Sequence, residues 1–385
     1  MQPSTRSSNN PALRFEAEAM ETLVASLKNQ GYVVLGPTIQ EGAVVFERIN
    51  SAADFPHGMT DEQQPGAYRL KQRNDRAMFG YAVGPKSPKS FLFPPLFKLL
   101  SIAKDDHQFR IVSNRIEGDH PPRYALVGVR PCELQAIFLQ DNVFMNQVFK
   151  DEAYQTIREN LFIVVVNCGQ PASTCFCSSM QTGPEAKTGF DLALTEVVGE
   201  GHYFVVETGS QRGQKLMAGI PHSEASDTDR READRIIRTA EQSIKRKLET
   251  TGLKELLQRN TDHPRWEEVG KRCLTCANCT LVCPTCFCVA VEDTTDLTGA
   301  IAERWRAWDS CFTVDFSYIH GGSLRMSAKS RYRQWMTHKL ANWIDQFGTS
   351  GCVGCGRCIT WCPVGIDLTE EAKHIREHQQ VSGSS

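Results

Sequence analysis

The chain has 385 residues, enough for two or three domains at roughly 100–200 residues each. Hydrophobic residues make up 41% and charged residues 23%, with a mean hydropathy of −0.36, ordinary values for a soluble chain with a sizeable core. A net charge of −2 and a pI near 6.6 exclude a strongly basic nucleic-acid binder and an acidic disordered chain. The unusual number is 15 cysteines, whose odd total argues against a closed disulfide framework.

From the N-terminus, Met1 to Asn10 is rich in Ser and Asn and lacks the apolar stretch of a signal peptide, so residues 1–11 read as a disordered tail. The longest uninterrupted apolar run, Leu161 to Val166, is far too short to span a membrane. A cytoplasmic location is expected, where clustered thiols bind metal or do redox chemistry more often than they form staples.

Residues 11–30 read as a helix, with Leu13, Ala17, Met20, Leu23, Val24 and Leu27 at helical spacing and Gly31 placed to end it. Strands are expected at 32–35, 43–49, 67–71 and 77–83, while Pro94 and Pro95 break the apolar run Phe91 to Leu100. Tyr124 to Val129 reads as a strand, Pro131 to Phe138 as a helix, Leu161 to Asn167 as a buried strand, and Asp191 to Val198 and Tyr203 to Glu207 as two more. This mixture predicts an α+β or α/β domain over 12–222. Residues 223–262 are rich in charge, with Ile236, Ile237, Ala240, Ile244 and Leu248 at helical spacing, and read as an exposed amphipathic linker helix. All six tryptophans follow it, among eleven of the cysteines, and segments 298–308 and 327–346 look helical. The expectation is a mainly α-helical dicluster ferredoxin domain over 263–370 and a flexible tail over 371–385.

The strongest motif occurs twice. Cys273-x2-Cys276-x2-Cys279-x3-Cys283-Pro284 recurs as Cys352-x2-Cys355-x2-Cys358-x3-Cys362-Pro363. This is the bacterial ferredoxin spacing, in which three thiolates of one loop reach three irons of a 4Fe–4S cluster and the fourth cysteine serves the other cluster. The same pairing gives Cys273, Cys276, Cys279 and Cys362 to one cluster, and Cys352, Cys355, Cys358 and Cys283 to the second. Structural zinc prefers two separated ligand pairs, which this spacing does not offer. The 68 residues between Cys283 and Cys352 exceed what a compact ferredoxin uses. A cluster fully ligated by cysteine has no open position for substrate, so the expected role is one-electron relay.

A second group is Cys132 in Gly128-Val-Arg-Pro-Cys-Glu133, Cys168 at the end of a predicted strand, and Cys175-Phe-Cys177 in the following loop. Two strand ends and a loop can bring four thiols to one sheet edge, the number a third cluster needs; buried structural thiols, zinc and a redox-reactive thiol are the alternatives. Three cysteines are surplus: Cys286 and Cys288 of Thr285-Cys-Phe-Cys288, which repeats Thr174-Cys-Phe-Cys177, and Cys311. A further cluster there would need a non-cysteine ligand, and packing around the main clusters is the expected role. The basic stretch Arg325, Lys329, Arg331, Arg333, His338 and Lys339 reads as a packed helix with its charges facing water, and positive charge there would raise the potential of anionic clusters. No GxGxxG after a strand, P-loop or nucleophile–base arrangement is present, so no catalytic residue is assigned.

Pro65-Gly-Ala-Tyr-Arg-Leu70, Gly128-Val-Arg-Pro-Cys-Glu133, Asn167-Cys168, Thr174-Cys-Phe-Cys-Ser-Ser-Met180, Cys283-Pro-Thr-Cys-Phe-Cys288, Trp308-Asp-Ser-Cys311 and Cys352-Val-Gly-Cys-Gly-Arg-Cys358 together resemble the beta subunit of cytoplasmic sulfhydrogenases, the NAD(P)-linked NiFe hydrogenases. The pattern is also similar to the corresponding iron–sulfur subunit of anaerobic sulfite reductase. It runs from about residue 12 to 370, with Glu133 where Asp is commoner after the Pro-Cys pair. The resemblance implies an iron–sulfur subunit passing electrons between a flavin subunit that uses NAD(P)H and the small and large subunits of a NiFe hydrogenase. A sulfite reductase relay is the alternative, and a stand-alone redox sensor or zinc-stabilised interaction module is the rival of another class.

Overall fold

A computed structural model describes residues 12–105, 108–113 and 122–378; the expected tail over 1–11 lies outside them. The N-terminal half is organised by an eight-stranded sheet in the order Ser223–Glu224, Leu13–Glu16, His202–Thr208, Leu192–Val198, Phe162–Val166, Tyr124–Val129, Val33–Gln40 and Ala43–Arg48. The four strands from Leu192–Val198 to Val33–Gln40 pair in parallel, and the edges are antiparallel. A parallel centre is covered on both faces, and its strands read as continuous apolar runs for that reason. Phe15, Met20, Leu23, Val164 and Phe204 fill one face, and Leu126, Leu134, Ile137, Ile163 and Val165 the other. At about 1.5–3 kcal/mol for each large side chain buried, these layers dominate the stability of the N-terminal half.

Three N-terminal expectations change. Leu13 and Phe15 alternate as a strand paired with His202–Thr208, and the helix begins only at Ala19, ending at Asn29. Among the described residues, 77–83 have no strand partner. Side chains serve their backbone instead: Glu196 accepts from the N–H groups of Met78 (2.6 Å) and Phe79 (2.9 Å), Asp61 from Ala82 (2.7 Å), and Arg130 donates to the carbonyls of Phe79 (2.6 Å) and Tyr81 (2.8 Å). The apolar run broken by Pro94 and Pro95 resumes as the strand Leu96–Asp105.

The helix Pro131–Phe144 lacks a polar face because it is sandwiched. Leu134 and Ile137 pack on the sheet, while Cys132, Ala136 and Leu139 pack against Trp343, Val353 and Cys355 of the C-terminal half. The linker is helical over Asp227–Ser243 and again over Leu253–Arg259; Ile244 and Leu248 lie between, in non-helical backbone, and are buried.

The C-terminal half carries the helices Arg265–Arg272, Ala328–Thr337 and Leu368–Glu377 around a core of Trp266, Phe312, Tyr332 and Trp335. Residues 371–377 therefore belong to a packed helix with Ile375 fully buried, not to a tail. Ala328–Thr337 continues through a π-helical turn, His338–Asn342, into Trp343–Phe347. Segment 298–308 is not helical. Val289–Thr295 and Ile301–Trp308 form a hairpin that pairs with Leu96–Asp105 and Gln108–Ser113, a sheet shared between the two halves. Helix-favouring Glu303, Arg304 and Arg306 yield here to tertiary pairing. Among the described residues no helix is long and apolar enough to cross a membrane.

Candidate metal centre

All 15 cysteines are free, and among the described residues no three His, Cys, Asp or Glu side chains converge on a point suited to a single ion. The thiols line cavities instead. Cys273, Cys276, Cys279 and Cys362 border one of about 420 Å³, with Cys358 on its inner wall and Phe312, Tyr332, Trp335 and Ile366 around it. The fourth cysteine of the second motif thus stands with the first three of the first motif. Cys276 is exposed at its mouth, beside Leu274 at 61% exposure. The buried hydroxyl of Tyr332 and the buried indole N–H of Trp335 have no hydrogen-bond partner among the described residues. Donors left bare on the wall suit a group rich in sulfur acceptors.

The second set lies deeper. Cys283 and Cys355 are buried, and Cys352, Cys355 and Cys358 each have Cys283 as a charge-interacting neighbour. Lys339 sits beside it, against expectation, with its ammonium donating to Cys283 Sγ (3.4 Å), Thr285 Oγ1 (2.9 Å) and the Gly351 carbonyl (2.9 Å). Burial alone would lower the Lys339 pKa, but the surrounding cysteine sulfurs outweigh it and hold the group charged. Cys283 is in turn held well below the usual thiol range, by a hydrogen bond with Cys286 and by Lys339. Arg331 is also buried, donating to the Phe312 carbonyl at 2.7 Å. Two of the basic residues read as solvated are therefore internal, because the second cysteine loop and the Cys311 segment pack over that side of their helix.

The third set gathers at carboxyl ends of parallel strands, the usual location of sites in such sheets. Cys132 lies in the first turn of the helix that follows Tyr124–Val129, and Cys168 just past Phe162–Val166. With Cys175 and Cys177 they border a cavity of about 340 Å³, whose wall includes Cys355. Burial pushes the Cys132 and Cys175 thiols well above the ordinary value, Cys168 up, and Cys177 up to about 12. Thiols so placed ionise readily only opposite concentrated positive charge, which iron supplies. Arg130 Nε, buried on the same wall, has no partner among the described residues.

Gly354 and Gly356 explain how closely the second cysteine loop docks on this site. Both have left-handed φ, +65° and +76°, and an added Cβ would lie 2.7 Å from the Cys177 backbone and 2.5 Å from the Thr174 carbonyl oxygen. The corresponding residues of the first loop, Thr275 and Ala277, are left-handed as well, so the turn itself does not require glycine; the contact does. Phe176 N–H donates to the Gly354 carbonyl at 2.8 Å, and Cys175 Sγ to that of Cys355 at 3.7 Å.

A clamp that no sequence motif announces joins these loops. Arg357 is 1% exposed, donates to the Gly84 carbonyl at 2.6 Å and pairs with Glu133, which also accepts from the Arg130 N–H at 3.0 Å. The legible signal was a charged residue inside a cysteine loop, where the first motif carries Asn278.

Cys286, Cys288 and Cys311, the surplus cysteines, also come together, around a cavity of about 290 Å³ bordered by Trp335, His338, Lys339 and Trp343.

Residues 272–366 match the model of a 4Fe-4S dicluster domain. The chain is 30% identical over 316 residues to the sulfhydrogenase 2 subunit beta of Pyrococcus furiosus, covering 80% of this chain and 89% of the relative. No solved structure matches. The architecture is thus a mixed α/β region followed by a 4Fe–4S dicluster domain of modest helical content.

Proposed function

This chain belongs to the sulfhydrogenase β-subunit family, and from that premise we propose that it is the iron–sulfur subunit that relays single electrons between a flavin subunit using NAD(P)H and the NiFe hydrogenase subunits of a cytoplasmic complex. In this reading Cys273, Cys276, Cys279 and Cys362 hold one 4Fe–4S group, Cys352, Cys355, Cys358 and Cys283 a second, and Cys132, Cys168, Cys175 and Cys177 a third. Such a group, fully bound by thiolate, supplies reversible one-electron chemistry and offers substrate no open position.

One observation carries the proposal: neighbouring sets share walls. Cys355 of the central set borders the cavity of the N-terminal set, and Cys358 borders that of the Cys273 set. The three sets therefore form one row, from a buried end at Cys132 to an exposed mouth at Cys276. The residues between them exclude water and fix spacing: Phe312, Tyr332 and Trp335 on one side, and the Glu133–Arg357 pair on the other.

The test is made on the assembled complex. Cys175→Ser should abolish hydrogen evolution driven by NAD(P)H while leaving hydrogen evolution driven by reduced viologen, which feeds the hydrogenase subunits directly. Unchanged NAD(P)H-driven evolution would remove the N-terminal set from the relay.

A further inference from the structure

The surplus cysteines are brought together by the hairpin shared between the two halves. Its first strand begins at Val289 and its second ends at Trp308, and these two residues are paired. Cys288 immediately precedes the hairpin and Cys311 follows it by three residues, so closing its base brings both thiols to one cavity. The backbone reinforces this, with Asp309 N–H donating to the Cys288 carbonyl at 2.9 Å. Cys286 completes the trio around the cavity.

The same tetrapeptide does similar work at both places. Thr174-Cys-Phe-Cys177 and Thr285-Cys-Phe-Cys288 each present two thiols to a cavity and bury their threonine, which is 0% exposed at Thr174 and 1% at Thr285. Thr174 Oγ1 hydrogen-bonds Thr360 Oγ1 at 2.8 Å, and Thr285 Oγ1 donates to the Gly351 carbonyl at 2.7 Å. Both partners flank the second cysteine loop, so the two tetrapeptides bracket it from opposite ends.

A fourth ligand is needed, and four bordering side chains carry nitrogen; the indoles of Trp335 and Trp343 are donors only, which leaves Lys339 and His338. Lys339 is excluded: its ammonium has three donors and no lone pair, and all three are engaged at Cys283, Thr285 and Gly351. His338 remains. Its Nε2 faces Gln346 Oε1 at 3.3 Å, which as a donor leaves Nδ1 with a free lone pair, the tautomer a metal-binding imidazole uses when its other nitrogen is hydrogen-bonded.

We propose that Cys286, Cys288, Cys311 and His338 hold an additional 4Fe–4S group, beside the central set and on the opposite flank from Cys132, Cys168, Cys175 and Cys177. The inference rests on the iron–sulfur reading above. It makes the central set a branch point, with Cys283 on its side of the boundary and Cys286 on the other.

The test uses the full chain, purified anaerobically, with iron, zinc and acid-labile sulfide measured alongside EPR of the reduced protein. About 16 irons per chain are expected, four for each 4Fe–4S site. Cys311→Ala should lose about four of them and leave the signals abolished by Cys175→Ser in place, and His338→Cys should keep the iron but move one reduced-state signal. About 12 irons, with Cys311→Ala losing none, overturns the additional site and leaves the relay reading intact. Iron unchanged by Cys175→Ser but reduced by Cys311→Ala supports this site while removing the N-terminal one. One zinc per chain lost in Cys311→Ala overturns the proposal in favour of a structural ion. A His338→Cys spectrum identical to the parent overturns the histidine ligation, and that half-buried position keeps the test usable should Cys311→Ala fail to fold.

Discussion

Arg357 shows how much one residue settles in this protein. Its guanidinium is buried, pairs with Glu133, and stands between the Cys132 helix and the loop of Cys352, Cys355 and Cys358. Burial works against the charge, but Glu133, Cys355 and Cys132 outweigh it and keep Arg357 firmly protonated. Glu133→Gln should therefore cost about 3–5 kcal/mol, because it strands a buried charge. Chemical denaturation of the full chain checks this, and a loss within error of zero would mean that water reaches the pair. Lys339 acts on a neighbouring set instead of on the fold. A fixed positive charge in hydrogen-bond contact with Cys283 favours the more negative, reduced state of whatever that thiolate binds. Lys339→Met should lower the midpoint potential of one centre by roughly tens of millivolts, seen in an EPR-monitored redox titration. An unmoved set of potentials would separate Lys339 from the central set. Arg357 is legible in the sequence only as a charge within a cysteine loop, and Lys339 only as one of a basic stretch whose charge would raise cluster potentials, with its burial hidden. Whether Lys339 meets water or sulfur depends on the Cys283 segment 56 residues upstream and the Gly351 loop 12 residues downstream, and spacing along one helix carries no information about either.

The elements that position thiols were legible where their signal is local. Cysteines three apart in a ferredoxin motif declare their loop, and the apolar run Leu161 to Val166 declares a buried strand. The hairpin Val289–Trp308 was hidden because Glu303-Arg304-Trp305-Arg306 suits a helix by propensity, and its strand partner, Leu96–Asp105, lies almost 200 residues away. The turn chemistry that could have revealed it is present: Asp296 accepts from the Ile301 N–H at 3.0 Å, and Gly299 takes a left-handed φ of +68°. The docking of the second cysteine loop on Thr174–Cys177 gives a sharp test at this scale. Gly354→Ala sets a Cβ against backbone 2.7 Å away, an overlap that overpacked interiors relieve only at about 1–3 kcal/mol. It should perturb the EPR signal lost in Cys175→Ser, whereas Thr275→Gly, at the corresponding place in the first loop, should leave all signals unchanged. Equal effects from the two would mean that the glycine serves the turn and not the contact.

Across the whole molecule, the two halves are joined more tightly than the composition suggested. A change in charge pattern near residue 223 invited a division into a sheet domain, a linker and a cysteine domain. The structure ties the halves together through the shared four-stranded sheet, through Cys132, Ala136 and Leu139 against Trp343 and Val353, and through Glu133 with Arg357. A row of redox sites across such a junction requires this rigidity, since electron transfer depends steeply on fixed separation. The central claim is that the N-terminal four cysteines are a redox site and not structural thiols. Iron and acid-labile sulfide, measured per anaerobically purified chain for the parent and for Cys175→Ser, test it most directly. A loss of about four irons and four sulfides is expected, with the signals of the two ferredoxin-type centres retained. Equal iron in the two proteins would contradict it.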